Sequence, residues 1–147
     1  MPKVLEREKK HRPSTVARDD PERSRRGRLS SLDLAEYFQA KLEAELGPHD
    51  LKHRMDKGEK DFIVLDVRNR KGFGEGHVPG AQSIPFEELE ERFKELPKDR
   101  EIVTYCWNVT CMLCTRAALF LAKKGYQTKE LLGGIQEWQR ANFPVEK

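Results

Sequence analysis

The chain has 147 residues, 37% of them hydrophobic and 36% charged, with 28 basic and 25 acidic side chains and a net charge of +3. That length buries one core and excludes two ordinary ones, and no apolar run approaches the ~18–20 residues of a membrane span. Three cysteines, Cys106, Cys111 and Cys114, fall within nine residues, which is no disulfide framework and fits a reducing, cytoplasmic setting.

Residues 1–30 hold ten basic and five acidic residues, whereas the remaining 117 hold 18 and 20. The large apolar residues of this stretch are few (Val4, Leu5, Val16, Leu29). It cannot offset its ordering entropy by burial, so a flexible, solvated basic arm is expected. No apolar stretch interrupts the charges of Met1–Lys10, so no secretory leader is expected. The arm lacks interleaved aromatics, and nucleic acid is not its expected partner.

Ser30 followed by Asp33 resembles a capping box. Leu34, Phe38, Leu42 and Leu46 then recur every four residues among charges, which predicts an amphipathic helix over about 32–46, stopped by Gly47-Pro48. A short helix over 49–56 follows. The continuous apolar run Phe62–Val67 suits a strand covered on both faces. Gly72, Gly74, Gly76, Pro79 and Gly80 predict a loop over 71–80, and Ala81–Ile84 a short strand. Phe86, Leu89, Phe93 and Leu96 share one helical face before Pro97. Ile102–Tyr105 reads as a strand, Met112–Lys124 as a helix closed by Gly125, and Thr128–Leu132 as a last strand. Gly133-Gly134 opens a terminal helix to about Arg140. Buried-type strands alternating with helices predict an α/β domain with a largely parallel sheet. The domain boundaries expected are a basic arm over 1–30, an N-terminal helix over 31–47 and the α/β domain over 48–147.

In a parallel sheet, ligands bind beyond the carboxyl ends of strands. Cys106 directly follows the Ile102–Tyr105 strand. A short turn, Trp107 to Cys111, and a helix follow it. Free backbone N–H groups at that helix start, and the helix dipole, favour negative charge. A thiol there has a lowered pKa, and its thiolate is a nucleophile. On position alone, Cys106 is equally well a small buried apolar residue.

The motifs, taken together, resemble those of the rhodanese-like (thiosulfate sulfurtransferase) domain family, single-domain bacterial type. The pieces are Leu65-Asp66-Val67-Arg68, Gly76-His77-Val78-Pro79-Gly80-Ala81, Ile84-Pro85, Val103-Thr104-Tyr105-Cys106 and Leu131-Leu132-Gly133-Gly134-Ile135-Gln136-Glu137-Trp138. Each is weak alone, but their order and spacing agree over residues 48–145. The helix at 32–46 and the Cys106-Trp107 pair are similar to one bacterial subgroup.

The resemblance implies a five-stranded parallel sheet with helices on both sides, plus the extra N-terminal helix. It implies that Cys106 is the sulfur acceptor, carrying sulfane sulfur as a persulfide from thiosulfate, polysulfide or a protein persulfide. The acceptor would be a thiol such as a thioredoxin-like protein or glutathione. Backbone N–H groups from Trp107, Asn108, Val109, Thr110, Cys111 and Met112 would hold the anion. No metal or organic cofactor is implied. Asp66 and Arg68 read as a supporting ion pair, with Arg68 as a sulfonate ligand the lesser alternative. His77 reads as a hydrogen-bonding turn residue, and Gly133 and Gly134 as allowing close passage of the active loop. Trp138 reads as core. Trp107 either walls the pocket or packs on a neighbouring chain, which leaves a homodimer open.

The sequence also departs from the family. Members active on thiosulfate often carry a basic residue after the cysteine and an Arg five positions on. Here these are Trp107 and Cys111, and no Lys or Arg lies between Cys106 and Arg116. Charge-assisted contacts are about twice as strong as neutral ones, so weak thiosulfate turnover and preference for a protein persulfide or polysulfide are expected. Phosphatase and arsenate-reductase chemistry needs a longer loop and an Arg where Met112 stands. A zinc site with His77 as fourth ligand lacks paired spacing. Cys111 is a candidate resolving thiol, although Cys111 and Cys114 read equally as small residues packing the helix start. Two other functions stay open: a thiol redox or sensor module using Cys106 and Cys111, and a non-catalytic interaction module. A Cys106 sulfur entombed or ringed by carbonyl oxygens would speak against catalysis.

Overall fold

The computed structural model describes residues 33–147. The expected basic arm over 1–30, and Ser30 with it, lie outside the described residues. The chain divides into two units after Phe38, the second spanning Gln39–Lys147. Helix α1 spans Leu34–Ala44, two residues shorter at each end than the periodicity predicts. Asp33 Oδ1 accepts the Ala35 N–H at 3.1 Å, which begins the helix there. Its C-terminal end gives way to strand β1, Glu45–Leu46, which pairs with the last strand and takes Leu46 out of the helical stripe. Leu42 stays exposed.

The second unit continues with α2 (Pro48–Asp56), β2 (Phe62–Asp66), α3 (Arg70–Glu75) and β3 (Gln82–Ser83). The 86–96 segment is a short helix α4 (Leu89–Arg92) between two 3₁₀ turns. Then come β4 (Glu101–Tyr105), α5 (Leu113–Lys123), β5 (Thr128–Leu131) and α6 (Gly134–Arg140). The five strands form one sheet in the order β1-β5-β4-β2-β3, every pair parallel. The predicted parallel α/β class is the observed one.

Alternation along β2 and β4 explains their unbroken apolar runs. Ile63, Leu65, Ile102 and Cys106 face a cluster with Ala117 and Leu121 of α5. Val64, Val103 and Tyr105 face the opposite cluster with Leu51 of α2 and Trp138 of α6. Each strand is therefore apolar on both faces because each face is covered. β4 is the central strand, so its carboxyl end has sheet on both sides and helices above and below.

The loop expected over 71–80 is in part a helix, α3. Asn69 caps it, its Oδ1 accepting the Gly72 N–H at 2.7 Å. Gly72 has a packing reason within the helix: a Cβ there would lie 2.5 Å from the Trp107 ring.

Candidate active site

Tyr105 and Cys106 leave β4 on opposite faces. On the Tyr105 side, Asp66 is fully buried and accepts from Arg68 Nη2 at 2.7 Å and from the Tyr105 hydroxyl at 2.5 Å. Arg68 Nη2 also donates to the Gly76 carbonyl at 2.7 Å. The Tyr105 hydroxyl accepts the Val78 N–H at 3.1 Å. Burial, reinforced by the Asp66 carboxylate, pushes the Tyr105 pKa up, so the phenol stays protonated. Burial opposes the charge on Arg68, but its hydrogen bonds to Asp66 outweigh that and raise its pKa. Arg68 is thus committed to architecture, with the Trp107 ring 4.8 Å from its guanidinium carbon.

Trp107 lies against α3 and, with Arg68, Asn108 and Gln136, lines a cleft of about 270 Å³. His77 is stacked on Phe73 at 3.7 Å, its Nδ1 is 2.9 Å from the Phe73 carbonyl, and its backbone is bridged to Glu146. It serves the turn and the C-terminal segment. Trp138 is fully buried, with its indole N–H donating to the Pro144 carbonyl at 2.8 Å.

On the other face, the Cys106 sulfur is in contact with a second sulfur, Cys114 Sγ, at 3.2 Å. The Thr104 hydroxyl donates to the Cys114 carbonyl at 3.0 Å and ties the first turn of α5 to β4. The Cys114 thiol, hydrogen-bonded to Cys106, is the largest influence drawing the Cys106 pKa down. Burial works against it, while Cys111 and the backbone N–H groups of Cys114 and Trp107 assist. The result is a pKa lowered to about 6, so the thiolate prevails at neutrality. The proton is correspondingly held by Cys114, whose pKa is raised by its bond to Cys106 and then by burial.

The orientation of the Trp107 N–H has a structural cause. The Cys106 carbonyl accepts the Ile135 N–H at 3.0 Å, and the Trp107 carbonyl the Gln136 N–H at 3.1 Å. In a trans peptide the N–H points opposite its carbonyl. Clamping the Cys106 carbonyl onto α6 therefore turns the Trp107 N–H away from α6. Gly134 permits this approach: a Cβ would stand 2.4 Å from the Cys106 oxygen, and its φ is +61°.

The loop 107–112 is not a uniform ring of donors. The Thr110 and Cys111 N–H groups both donate to Asn108 Oδ1 at 3.1 Å. Val109 and Met112 have exposed side chains. The backbone donors acting on Cys106 come from Trp107 and from Cys114, a residue beyond the loop. Two features are ones that the sequence reading sets against catalysis: Cys106 is 0% exposed, and its sulfur lies 3.3 Å from the Cys111 carbonyl, a contact that favours the thiol over the thiolate. Sequence reasoning named Cys111 as a candidate resolving thiol beside a packing role for Cys111 and Cys114, and did not foresee the direct Cys106–Cys114 contact, which turns on where α5 begins. It named Asn108 only for its backbone N–H and missed its side chain, although Asn-Val-Thr is the signature of a side-chain-closed turn.

Among the described residues no group of three His, Cys, Asp or Glu stands together as metal ligands, and no helix is long and apolar enough to cross a membrane.

Comparison with known proteins assigns the family. The rhodanese-like domain model matches residues 47–141, and the chain belongs to that family. It is 30% identical over 102 residues to a sulfurtransferase of Allochromatium vinosum, covering 69% of this chain and 92% of that protein. It is 37% identical over 98 residues to the HTH-type transcriptional regulator Rv0324 of Mycobacterium tuberculosis, a match covering 67% of this chain but only 42% of the regulator. The BH2092 protein of Bacillus halodurans has a similar structure, with a TM-score of 0.72 and 39% identity, covering 76% of this chain and 82% of that one.

Proposed function

We propose that the protein is a sulfurtransferase in which Cys106 carries the transferred sulfur as a persulfide. The Cys106 thiolate attacks the outer sulfur of a donor persulfide or polysulfide. A bond forms between the two sulfurs, the donor's S–S bond breaks, and the donor thiolate or shorter polysulfide leaves. An acceptor thiolate then takes the outer sulfur and returns Cys106 to thiolate. The observation that carries this reading is the Cys106 sulfur at the carboxyl end of the central strand, in contact with Cys114 Sγ at 3.2 Å.

The donor preference follows from what stabilises that anion. Arg68 is held by Asp66 and Gly76, and no Lys or Arg occurs between Cys106 and Arg116. The sulfonate of thiosulfate lacks a charge-assisted partner from this loop, so persulfides and polysulfides, which carry no sulfonate, are the better donors. Because Cys106 is buried, the loop over 107–112 opens to admit them. A thiol of a thioredoxin-like protein or glutathione serves as acceptor.

Mass spectrometry after brief exposure to tetrasulfide tests the reading. Wild type gains one sulfur, mapped to Cys106, and Cys106→Ser gains none. Thiosulfate labels wild type more slowly than tetrasulfide. Absence of the adduct with tetrasulfide, thiosulfate and a persulfidated protein donor would overturn the assignment.

A further inference from the structure

We propose that Cys114 is a resolving thiol, which attacks the inner sulfur of the Cys106 persulfide, closes a Cys106–Cys114 disulfide and releases the carried sulfur as hydrosulfide. This rests on the persulfide reading above and adds a second fate for the sulfur, release rather than transfer.

The geometry is that of a pair already in contact. The two Sγ atoms are 3.2 Å apart, and a disulfide needs about 2.05 Å. Closing that gap takes a movement of about 1.2 Å, on the scale of side-chain adjustment. Cys114 touches the Cys106 Sγ itself, which becomes the inner sulfur once a persulfide forms. Attack there expels the outer sulfur; attack on the outer sulfur would only pass it along. Cys114 is buried, tethered through its carbonyl to Thr104, and has Glu130 Oε1 3.7 Å from its sulfur. Thr115 Oγ1 donates to the same carboxylate oxygen, which holds Glu130 beside the thiol. Glu130 is therefore positioned to receive the Cys114 proton as its sulfur attacks.

The step balances. Cys106–S–S⁻ and Cys114–SH give the Cys106–S–S–Cys114 disulfide and HS⁻. The Cys106–Cys114 bond forms as the bond to the outer sulfur breaks. The two cysteine sulfurs are oxidised by two electrons in all and the sulfane sulfur is reduced to sulfide. The Cys114 proton passes to Glu130 and from it to the departing sulfur, which leaves as hydrosulfide. The disulfide form cannot accept sulfur until an external dithiol reopens it, so the site would be gated by thiol redox state.

The full chain, reduced and desalted, is loaded with tetrasulfide, freed of excess reagent by gel filtration, and followed by intact mass, peptide mapping and a sulfide trap. In wild type the added sulfur is lost, one equivalent of sulfide appears, and a Cys106–Cys114 linked peptide accumulates until a dithiol is added. In Cys114→Ser and Cys114→Ala the persulfide persists, its lifetime extended on the order of a hundredfold by loss of an intramolecular attacker. The wild-type peptide map reads the linkage without depending on how any variant folds. A Cys106–Cys111 link, or equal persulfide lifetimes in wild type and both variants without sulfide release, would overturn the discharge and leave transfer standing. No sulfur gain by wild type or by either variant would bring down the transfer reading and the discharge together.

Discussion

Tyr105 and Cys106 are neighbours at the end of one strand, yet the two faces they enter are organised in opposite ways. On the Tyr105 face, the Asp66 carboxylate is matched by the Arg68 guanidinium and the Tyr105 hydroxyl, and Arg68 is further bound by a carbonyl. Its charges are paired. On the Cys106 face, the negative charge has the Cys114 and Cys111 thiols and two N–H dipoles but no opposite charge among the contributors to its stabilisation. A paired network of this kind fixes geometry. The first face is the frame, and the second is where chemistry can occur.

The largest expected effect breaks the paired face. Arg68→Ala leaves Asp66 buried without its cation, and should cost about 3 to 5 kcal/mol of unfolding free energy in denaturant titrations. A cost below 1 kcal/mol would mean that water or another group replaces the guanidinium. A smaller stability effect with a sharper consequence comes from Gly134→Ala. Its Cβ would collide with the Cys106 carbonyl at a positive φ, a strain of about 1 to 3 kcal/mol. Displacing that carbonyl also moves the Trp107 N–H, so persulfide formation should slow by on the order of tenfold or more. A folded Gly134→Ala protein with an unchanged loading rate would separate α6 from the orientation of the active loop.

Much of this arrangement is legible in the sequence because it is local. The unbroken runs at 62–67 and 102–105 announce strands covered on both faces. A cysteine directly after such a strand marks a candidate nucleophile position, although on position alone it reads equally as a small buried residue. The misreadings come from contacts between segments. Gly72 and Gly74 suggested a loop, yet Gly72 is glycine because the Trp107 ring occupies the place of a Cβ. Leu42 matches the helical stripe of α1 but is exposed, and Leu46 belongs to a strand instead. The Cys106–Cys114 contact depends on the Asn108-closed turn and on α5 beginning at Leu113. Neither the spacing of the cysteines nor their neighbours encodes which pair meets.

The most direct test of the central claim, a Cys106 anion sustained by dipoles and a neighbouring thiol, is the pH dependence of its alkylation by iodoacetamide, read by peptide mapping. The folded-state pKa lies below the unfolded value. The thiolate's contribution to stability is therefore present above the unfolded pKa and lost as pH falls through the folded one. Reactivity should follow the same acid limb, with a midpoint at about 6 in wild type and a higher one in Cys114→Ala. A midpoint near the ordinary thiol value of about 8.5, unchanged by Cys114→Ala, would contradict the account.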